Sequence, residues 1–286
     1  MNPTERTLDI GIRLHLRLWS GGGGVPFLLL HGLASNARTW DPVAQELHAA
    51  GHPVAALDQR GHGQSDKPAA GYDLATAAAD AARVVGALGW ERPILVGQSW
   101  GGTVVLQLAA QHPGLARAVG CVDGGYLDLH MLPDASWATV SRQLQPPDLL
   151  GTPHSRLEAM IRTHSPQWDA QGVAATLANF ELLPDGTVRP WLSLERHMAI
   201  VRAMWELDTG ALFRRVAAPV LLCVADQGRM SAEVRRRQVA AAEAGLRRCV
   251  VVRFADTDHD IHVHRPHLLA QTFLQHIEDG IWSDIP

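Results

Sequence analysis

The sequence predicts an α/β protein: a mostly parallel eight-stranded sheet flanked by helices, with a helical insertion. Three observations carry this expectation. Short continuous apolar runs alternate with helix-patterned segments through most of the chain, which is how strands buried on both faces and their crossover helices read. One such run, residues 94–96, passes through Gly97-Gln98-Ser99-Trp100-Gly101 straight into a helix-forming segment, residues 103–111. From Tyr126 to about Leu212 the alternation stops, and Pro133, Pro146, Pro147, Pro153, Pro166, Pro184 and Pro190 punctuate short helical pieces instead.

Composition sets the outer bounds. A chain of 286 residues holds one large domain with an insertion and is too short for two full α/β domains with linkers. The 47% hydrophobic content supports a substantial core. A net charge of -4 without a basic block argues against a nucleic-acid footprint, and no apolar run reaches the ~18 residues of a membrane span. Residues 1–8 lack a positive region followed by an apolar one, so no secretory leader is expected. Cys121, Cys223 and Cys249 each sit in an apolar run, which suits buried free thiols better than disulfides or a metal site. Together these points predict a cytoplasmic protein.

The elements follow in order. Residues 7–19 alternate apolar and polar, as an antiparallel edge pair with one wet face does. Gly21 to Gly24 form a turn, and a phosphate loop is not expected there because a strand, residues 26–30, follows rather than a helix. His31-Gly32-Leu33-Ala34 closes that strand. Residues 38–50 read as a helix, 52–57 as a strand, and Asp58-Gln59-Arg60-Gly61-His62-Gly63-Gln64-Ser65-Asp66 as a glycine-rich loop. Residues 72–89 have Leu74, Ala77, Ala78, Ala81, Val84, Val85 and Leu88 on one helical face, and Gly89 stops that helix. After the Ser99 helix comes a strand at residues 116–122, ending on Asp123-Gly124-Gly125. Beyond the proline-rich segment the sheet resumes at residues 219–225, followed by a helix at 232–245 and a last strand at 249–254. Asp256-Thr257-Asp258-His259-Asp260 comes next, and Arg265-Pro266 opens a C-terminal helix.

A tight strand-turn-helix strains its middle residue and lifts that side chain clear of the sheet, and Gly97 and Gly101 permit the turn. Ser99 then exposes its hydroxyl at a helix N-terminus, where free N–H groups favour developing negative charge. That is a nucleophile's position.

On Gly97-x-Ser99-x-Gly101 in this setting the chain resembles the α/β-hydrolase family, and its 58–65 loop resembles that family's Asp-x-Arg-Gly-x-Gly-x-Ser loop. The resemblance implies a Ser, acid, His chain order, with the base in the loop after the final strand. His259, followed by Pro266 at the start of the last helix, matches. It also implies an oxyanion hole from the backbone N–H groups of Leu33, just after His31-Gly32, and of Trp100, and a structural rather than catalytic His31. A helical cap inserted after the sixth strand is implied too: residues 127–212 as cap, residues 1–126 and 213–286 as core. Most of the cap aromatics and methionines are expected to be its own core, while Trp137 and Trp191, with Leu33 and Trp100, are candidates to contact substrate.

The acid has two candidates. Most of the family place it after the seventh strand, where this chain has Ala225-Asp226-Gln227-Gly228, with Asp226 two residues early and Gly228 at the expected position. The other is Asp123, at the end of the sixth strand, where haloalkane dehalogenases and a fungal-type lactone hydrolase have theirs. Asp123 is favoured. His262, His264 and His267 beside Asp258 and Asp260 raise a metal reading, but metallo-β-lactamase-type sites need ligands from further loops in an order not seen here, so no metal or cofactor is expected.

Trp100 after the nucleophile is similar to haloalkane dehalogenases, yet those enzymes and epoxide hydrolases need a carboxylate where this chain has Ser99. Proline-iminopeptidase-like enzymes have a longer Gly-Pro motif after His-Gly, which Leu33-Ala34 lacks. The expectation is therefore a serine hydrolase of a carboxylic ester or lactone with a small to medium apolar substrate, acting as monomer or homodimer. Carbon-carbon bond hydrolysis or cofactor-free perhydrolysis with the same triad is an alternative. So is a hydrolase-derived binding protein for a hydrophobic small molecule.

Overall fold

The computed structural model describes residues 2–228 and 230–282. The chain opens with strands β1 (Thr4–Asp9), β2 (Arg13–Trp19) and β3 (Phe27–Leu30), then α1 (Asp41–Ala49), β4 (Val54–Leu57), α2 (Leu74–Ala87), β5 (Ile94–Gln98), α3 (Trp100–Gln111) and β6 (Ala118–Val122). The next stretch holds α4 (Trp137–Leu144), β7 (Thr152–Pro153), α5 (His154–His164), α6 (Ala170–Leu177), β8 (Phe180–Leu182), β9 (Thr187–Pro190) and α7 (Leu194–Trp205). It returns through α8 (Thr209–Arg215), β10 (Val220–Ala225), α9 (Ala232–Gly245), β11 (Cys249–Phe254), the single turn α10 (Ile261–His264) and α11 (Pro266–Glu278).

Eight strands form one sheet in the order β1-β2-β4-β3-β5-β6-β10-β11. The β1/β2 and β2/β4 pairs are antiparallel and the rest parallel, so β5 lies inside the sheet between β3 and β6. Parallel strands buried on both faces must be apolar throughout, and alternate side chains must feed two separate cores. Leu28, Leu30 and Leu95 pack on one side with α2, α3, α8 and α9; Phe27, Leu29, Ile94 and Val96 pack on the other with α1 and α11. Truncating a fully buried residue such as Leu95 to Ala is worth about 2–5 kcal/mol.

Local signals set the helix ends. Asp73 accepts a hydrogen bond from the Thr76 N–H and starts α2, and Pro42 sits in the first turn of α1. The helix expected from residue 38 begins at Asp41, because Ala37–Trp40 winds as a 3-10 turn capped by Asn36. The segment between β6 and β10 is not purely helical as expected. A three-stranded antiparallel sheet, order β7-β9-β8, is folded into it, and its strands are too short to leave a period-two signature. Cys121 and Cys223 are buried and Cys249 half-buried, all as free thiols. Among the described residues no helix is long and apolar enough to cross a membrane.

Candidate active site

Ser99 occupies the single residue between β5 and α3, with φ 51 and ψ -119. A non-glycine residue there is strained by roughly 1–3 kcal/mol and persists only where its surroundings enforce the turn. They do. A Cβ on Gly97 would lie 2.1 Å from the Gly101 carbonyl oxygen, and a Cβ on Gly101 would lie 2.5 Å from the carbonyl oxygens of Leu30 and His31. The Ser99 N–H donates to the Val122 carbonyl at 3.0 Å, and Gly124 backs so closely onto Ser99 that a Cβ there would lie 2.5 Å from its Cα.

Two backbone donors stand beside this elbow. Among the described residues neither the Trp100 N–H, at the first position of α3, nor the Leu33 N–H has a hydrogen-bond acceptor. The loop carrying Leu33 is held by His62, whose Nε2 accepts the Ala34 N–H at 3.2 Å and whose Nδ1 donates to the Arg60 carbonyl at 2.9 Å. The His62 ring also stacks on Trp100, with centroids 5.6 Å apart. Burial, with His31 nearby, pushes the His62 pKa down to about 3, so Nε2 keeps the lone pair this contact needs. His31 is likewise buried and neutral: Nδ1 donates to the Gly32 carbonyl at 2.7 Å and Nε2 accepts the Gln59 N–H at 3.1 Å. Asp58 braces the same loop through the N–H groups of Ala37 and Gln64 and the ring of His15. Burial would raise its pKa, and those hydrogen bonds hold it at about 2.

His259 follows β11, and its Nδ1 lies 2.6 Å from Asp123 Oδ2. Asp123 is 5% exposed, and its other oxygen accepts the Ala225 N–H at 3.1 Å and the Tyr126 hydroxyl. Desolvation would lower the His259 pKa, but the hydrogen bond its Nδ1–H donates to Asp123 and the charges of Asp260, Asp123 and Asp258 raise it. Gln98 Nε2 donates to the His259 carbonyl at 3.3 Å, and a Cβ on Gly32 would lie 2.1 Å from Gln98 Oε1. One buried amide thus touches the loop of Leu33, the elbow of Ser99 and the loop of His259.

Asp226, the alternative acid, lies elsewhere. Its exposed carboxylate accepts the N–H groups of Asp256 at 2.9 Å and Thr257 at 3.1 Å, bracing the turn ahead of His259. These backbone bonds hold its pKa below the usual carboxylate range. The other sequence candidates are spread out. The Trp100 indole is 1% exposed, and its Nε1 has no hydrogen-bond partner among the described residues. Trp137 carries the Arg202 guanidinium over its ring at 4.7 Å. Trp191 carries the Lys67 ammonium at 4.6 Å and lines a charged cavity of about 390 Å³ with His15, Arg17 and Asp58, whose walls include neither Ser99 nor His259. His262 packs under Trp40, His264 accepts the Asp258 N–H, and His267 meets Glu46. Among the described residues no group of three metal-binding side chains forms.

Sequence reading missed Gln98, His62 and Tyr126. The glycine pair in Asp123-Gly124-Gly125-Tyr126 was the available signal for the last, since such a turn folds residue i+3 back onto residue i.

The segment between β6 and β10 touches the site from above. Asp258, next to His259, accepts from Gln167 Nε2 and from Trp168 Nε1 at 3.2 Å, and Asn36 Nδ2 donates to the Ala175 carbonyl at 2.8 Å. Val140, Leu192, Ile200, Val201 and Met204 join the apolar cluster that contains Trp100, with Leu33 packed against it.

Comparison with known proteins gives a consistent set of similarities. Residues 25–264 match the family described as alpha/beta hydrolase fold. A 2-(acetamidomethylene)succinate hydrolase from Mesorhizobium japonicum is 32% identical over 219 residues, 76% of each chain. A non-heme chloroperoxidase from Streptomyces lividans is 36% identical over 115 residues, 40% of this chain and 42% of that one. A solved structure of E-2-(acetamidomethylene)succinate hydrolase superposes with a TM-score of 0.81 at 26% identity, covering 96% of this chain and 99% of that one.

Proposed function

Because this chain belongs to the α/β-hydrolase fold family, we propose that it cleaves a carboxylic ester or lactone of a small to medium apolar substrate. The observation that carries the reading is the 2.6 Å contact between His259 Nδ1 and Asp123 Oδ2, beside a serine held in a strained elbow. With Nδ1–H engaged by the carboxylate, His259 keeps a lone pair on Nε2. That nitrogen takes the Ser99 proton as Oγ attacks the substrate carbonyl. The tetrahedral oxyanion is met by the Leu33 and Trp100 N–H groups, which have no acceptor among the described residues to give up. His259 returns the proton to the departing alkoxide and leaves an acyl group on Ser99. Water, deprotonated by the same imidazole, then releases the acid and restores the serine. Asp123 fixes the tautomer and stabilises the imidazolium formed in each half-reaction.

Residues 127–212 act as a cap in this reading, and the apolar character of Leu129, Val140, Ile200 and Met204 favours an apolar acyl group. The test is release of p-nitrophenol from a series of acyl esters, together with fluorophosphonate labelling of wild type and Ser99→Ala. Labelling and turnover that both vanish in Ser99→Ala fit the proposal; turnover that survives it refutes the nucleophile.

The similarity to the Mesorhizobium japonicum hydrolase motivates a second reading, with its named compound as substrate and the same triad. A succinate carries two carboxylates and calls for cations. Arg189 is paired with Glu181 and Arg202 with Glu206, and Arg196 donates to the carbonyls of Lys67 and Pro68, so each of these three is already engaged. Assaying that compound beside the ester panel separates the two.

A further inference from the structure

Asp123 meets more than His259. The turn after β6 runs Asp123-Gly124-Gly125-Tyr126, and each glycine is needed where it stands. Gly124 lies against the Ser99 backbone, and Gly125 has φ 72, with a Cβ there 2.7 Å from Cys121 Sγ. The turn carries Tyr126 back over the strand end, where its side chain is 2% exposed. Its hydroxyl donates to Asp123 Oδ1, the oxygen that also accepts the Ala225 N–H, while Oδ2 is left to His259. The ring fills apolar space beside the first core, which a phenylalanine would serve as well, so the hydroxyl is the part that needs a reason. A buried phenol costs free energy unless it is hydrogen-bonded, and here its partner is a buried anion.

We infer that Tyr126 is a positioning residue for the reaction: its hydroxyl fixes the Asp123 carboxylate with Oδ2 toward His259 and sets how strongly that carboxylate holds the imidazolium. The inference rests on the assignment of Asp123 as the triad acid. Each donor on a carboxylate spreads its charge, so removing one leaves Asp123 a stronger partner for protonated His259 but a less well oriented one. The other charged and titratable groups around this pair stay in place when the hydroxyl is removed. They are Asp258 and Asp260 on the His259 loop, Cys223 on β10, and Arg235 and Arg253 facing Tyr126.

The test is the pH profile of kcat/KM for Tyr126→Phe. The expected result is an acid limb displaced to higher pH, by roughly half a unit, with plateau kcat lower by about tenfold and KM little changed, a loss at the lower end of what a hydrogen bond to a charged group contributes. A purely structural tyrosine would lower the melting temperature and leave the limb where it was. Should Tyr126→Phe fold poorly, the second probe is 3-fluorotyrosine. The chain has 2 tyrosines, so incorporation in a Tyr72→Phe background labels Tyr126 alone. A more acidic phenol is a stronger donor, and the limb moves to lower pH. A limb that stays put under either change overturns the inference. An inactive Asp123→Asn beside an unmoved limb removes only the tyrosine's role, whereas an active Asp123→Asn removes the acid assignment itself.

Discussion

Two aspartates near the proposed triad differ in what meets them. Asp123 is buried with His259 on one oxygen and two donors on the other, whereas Asp226 is exposed and spends both oxygens on the N–H groups of Asp256 and Thr257. Asp123→Asn keeps the shape but presents an amide to Nδ1 and favours the wrong tautomer; kcat is expected to fall by roughly 10⁴-fold. Asp226→Asn retains one acceptor for the turn and should lose far less, and steady-state kinetics on both variants distinguishes them. The titration of His259 gives a second expectation at this scale. The base works neutral, and its pKa is raised by Asp123 against the lowering effect of burial, so activity rises with pH and its midpoint lies above the ordinary value of about 6.5. A midpoint below that value in kcat/KM would contradict the coupling to Asp123. Ser99, His259 and both aspartates were legible as residues because each followed a strand-like run. Which carboxylate reaches the ring was not, since that depends on a contact made across the sheet.

Turns set the accuracy of the site at the next scale. Gly32, Gly97, Gly101 and Gly124 all lie where a Cβ would strike backbone or the Gln98 amide, and together they let three loops converge on the end of β5. Gly124→Ala puts a methyl 2.3 Å from the Ser99 carbonyl oxygen, so the elbow or the Asp123 turn has to shift. A displacement of about 1 Å at a reacting group costs on the order of 100-fold in rate. The expected outcome is slow fluorophosphonate labelling by a protein with a nearly native circular dichroism spectrum, and labelling at the wild-type rate would count against it. The Gly-x-Ser-x-Gly turn and the 58–65 loop were readable because their glycines are spaced as such turns require. The bracing work of His62 was not readable, because its partners, Ala34 and Trp100, come from two other elements.

Across the whole molecule, the sheet divides the apolar interior in two, and several histidines are buried in neutral form around it. His62 and His262 have pKa values of about 3, pushed down chiefly by burial, and His31 and His197 are lowered too. An unfolded histidine titrates near 6.5, so below that pH the unfolded chain binds more protons than the native one. Stability contributed by these groups is therefore lost as pH falls from about 6.5 toward 3, at about 1.4 kcal/mol per pH unit for each group still neutral in the native state. His15 and His259 have raised values and act in the opposite window, losing their contribution as pH rises above 6.5. Urea midpoints are expected to drop between pH 6.5 and 4, and constant midpoints there would exclude this linkage. His262, 0% exposed and with neither ring nitrogen hydrogen-bonded among the described residues, is the sharpest case. His262→Phe should keep the packing on Trp40, leave stability at pH 7 equal or higher by about 1–3 kcal/mol, and flatten the acid slope.

The sequence by itself determined the strands of the large sheet, most helices, the nucleophile turn and the histidine loop, because apolar periodicity, proline and glycine act over a few neighbouring residues. Its silence about the small sheet β7-β9-β8 has the same cause: strands of two to four residues bury too little to leave a pattern. Only the tertiary structure decided that His259 meets Asp123 and not Asp226, that Tyr126 bonds the same carboxylate, and that Trp191 faces a charged cavity. Those are contacts between segments far apart in the chain, and their geometry is fixed by how the sheet and its helices pack rather than by any local preference of the residues involved.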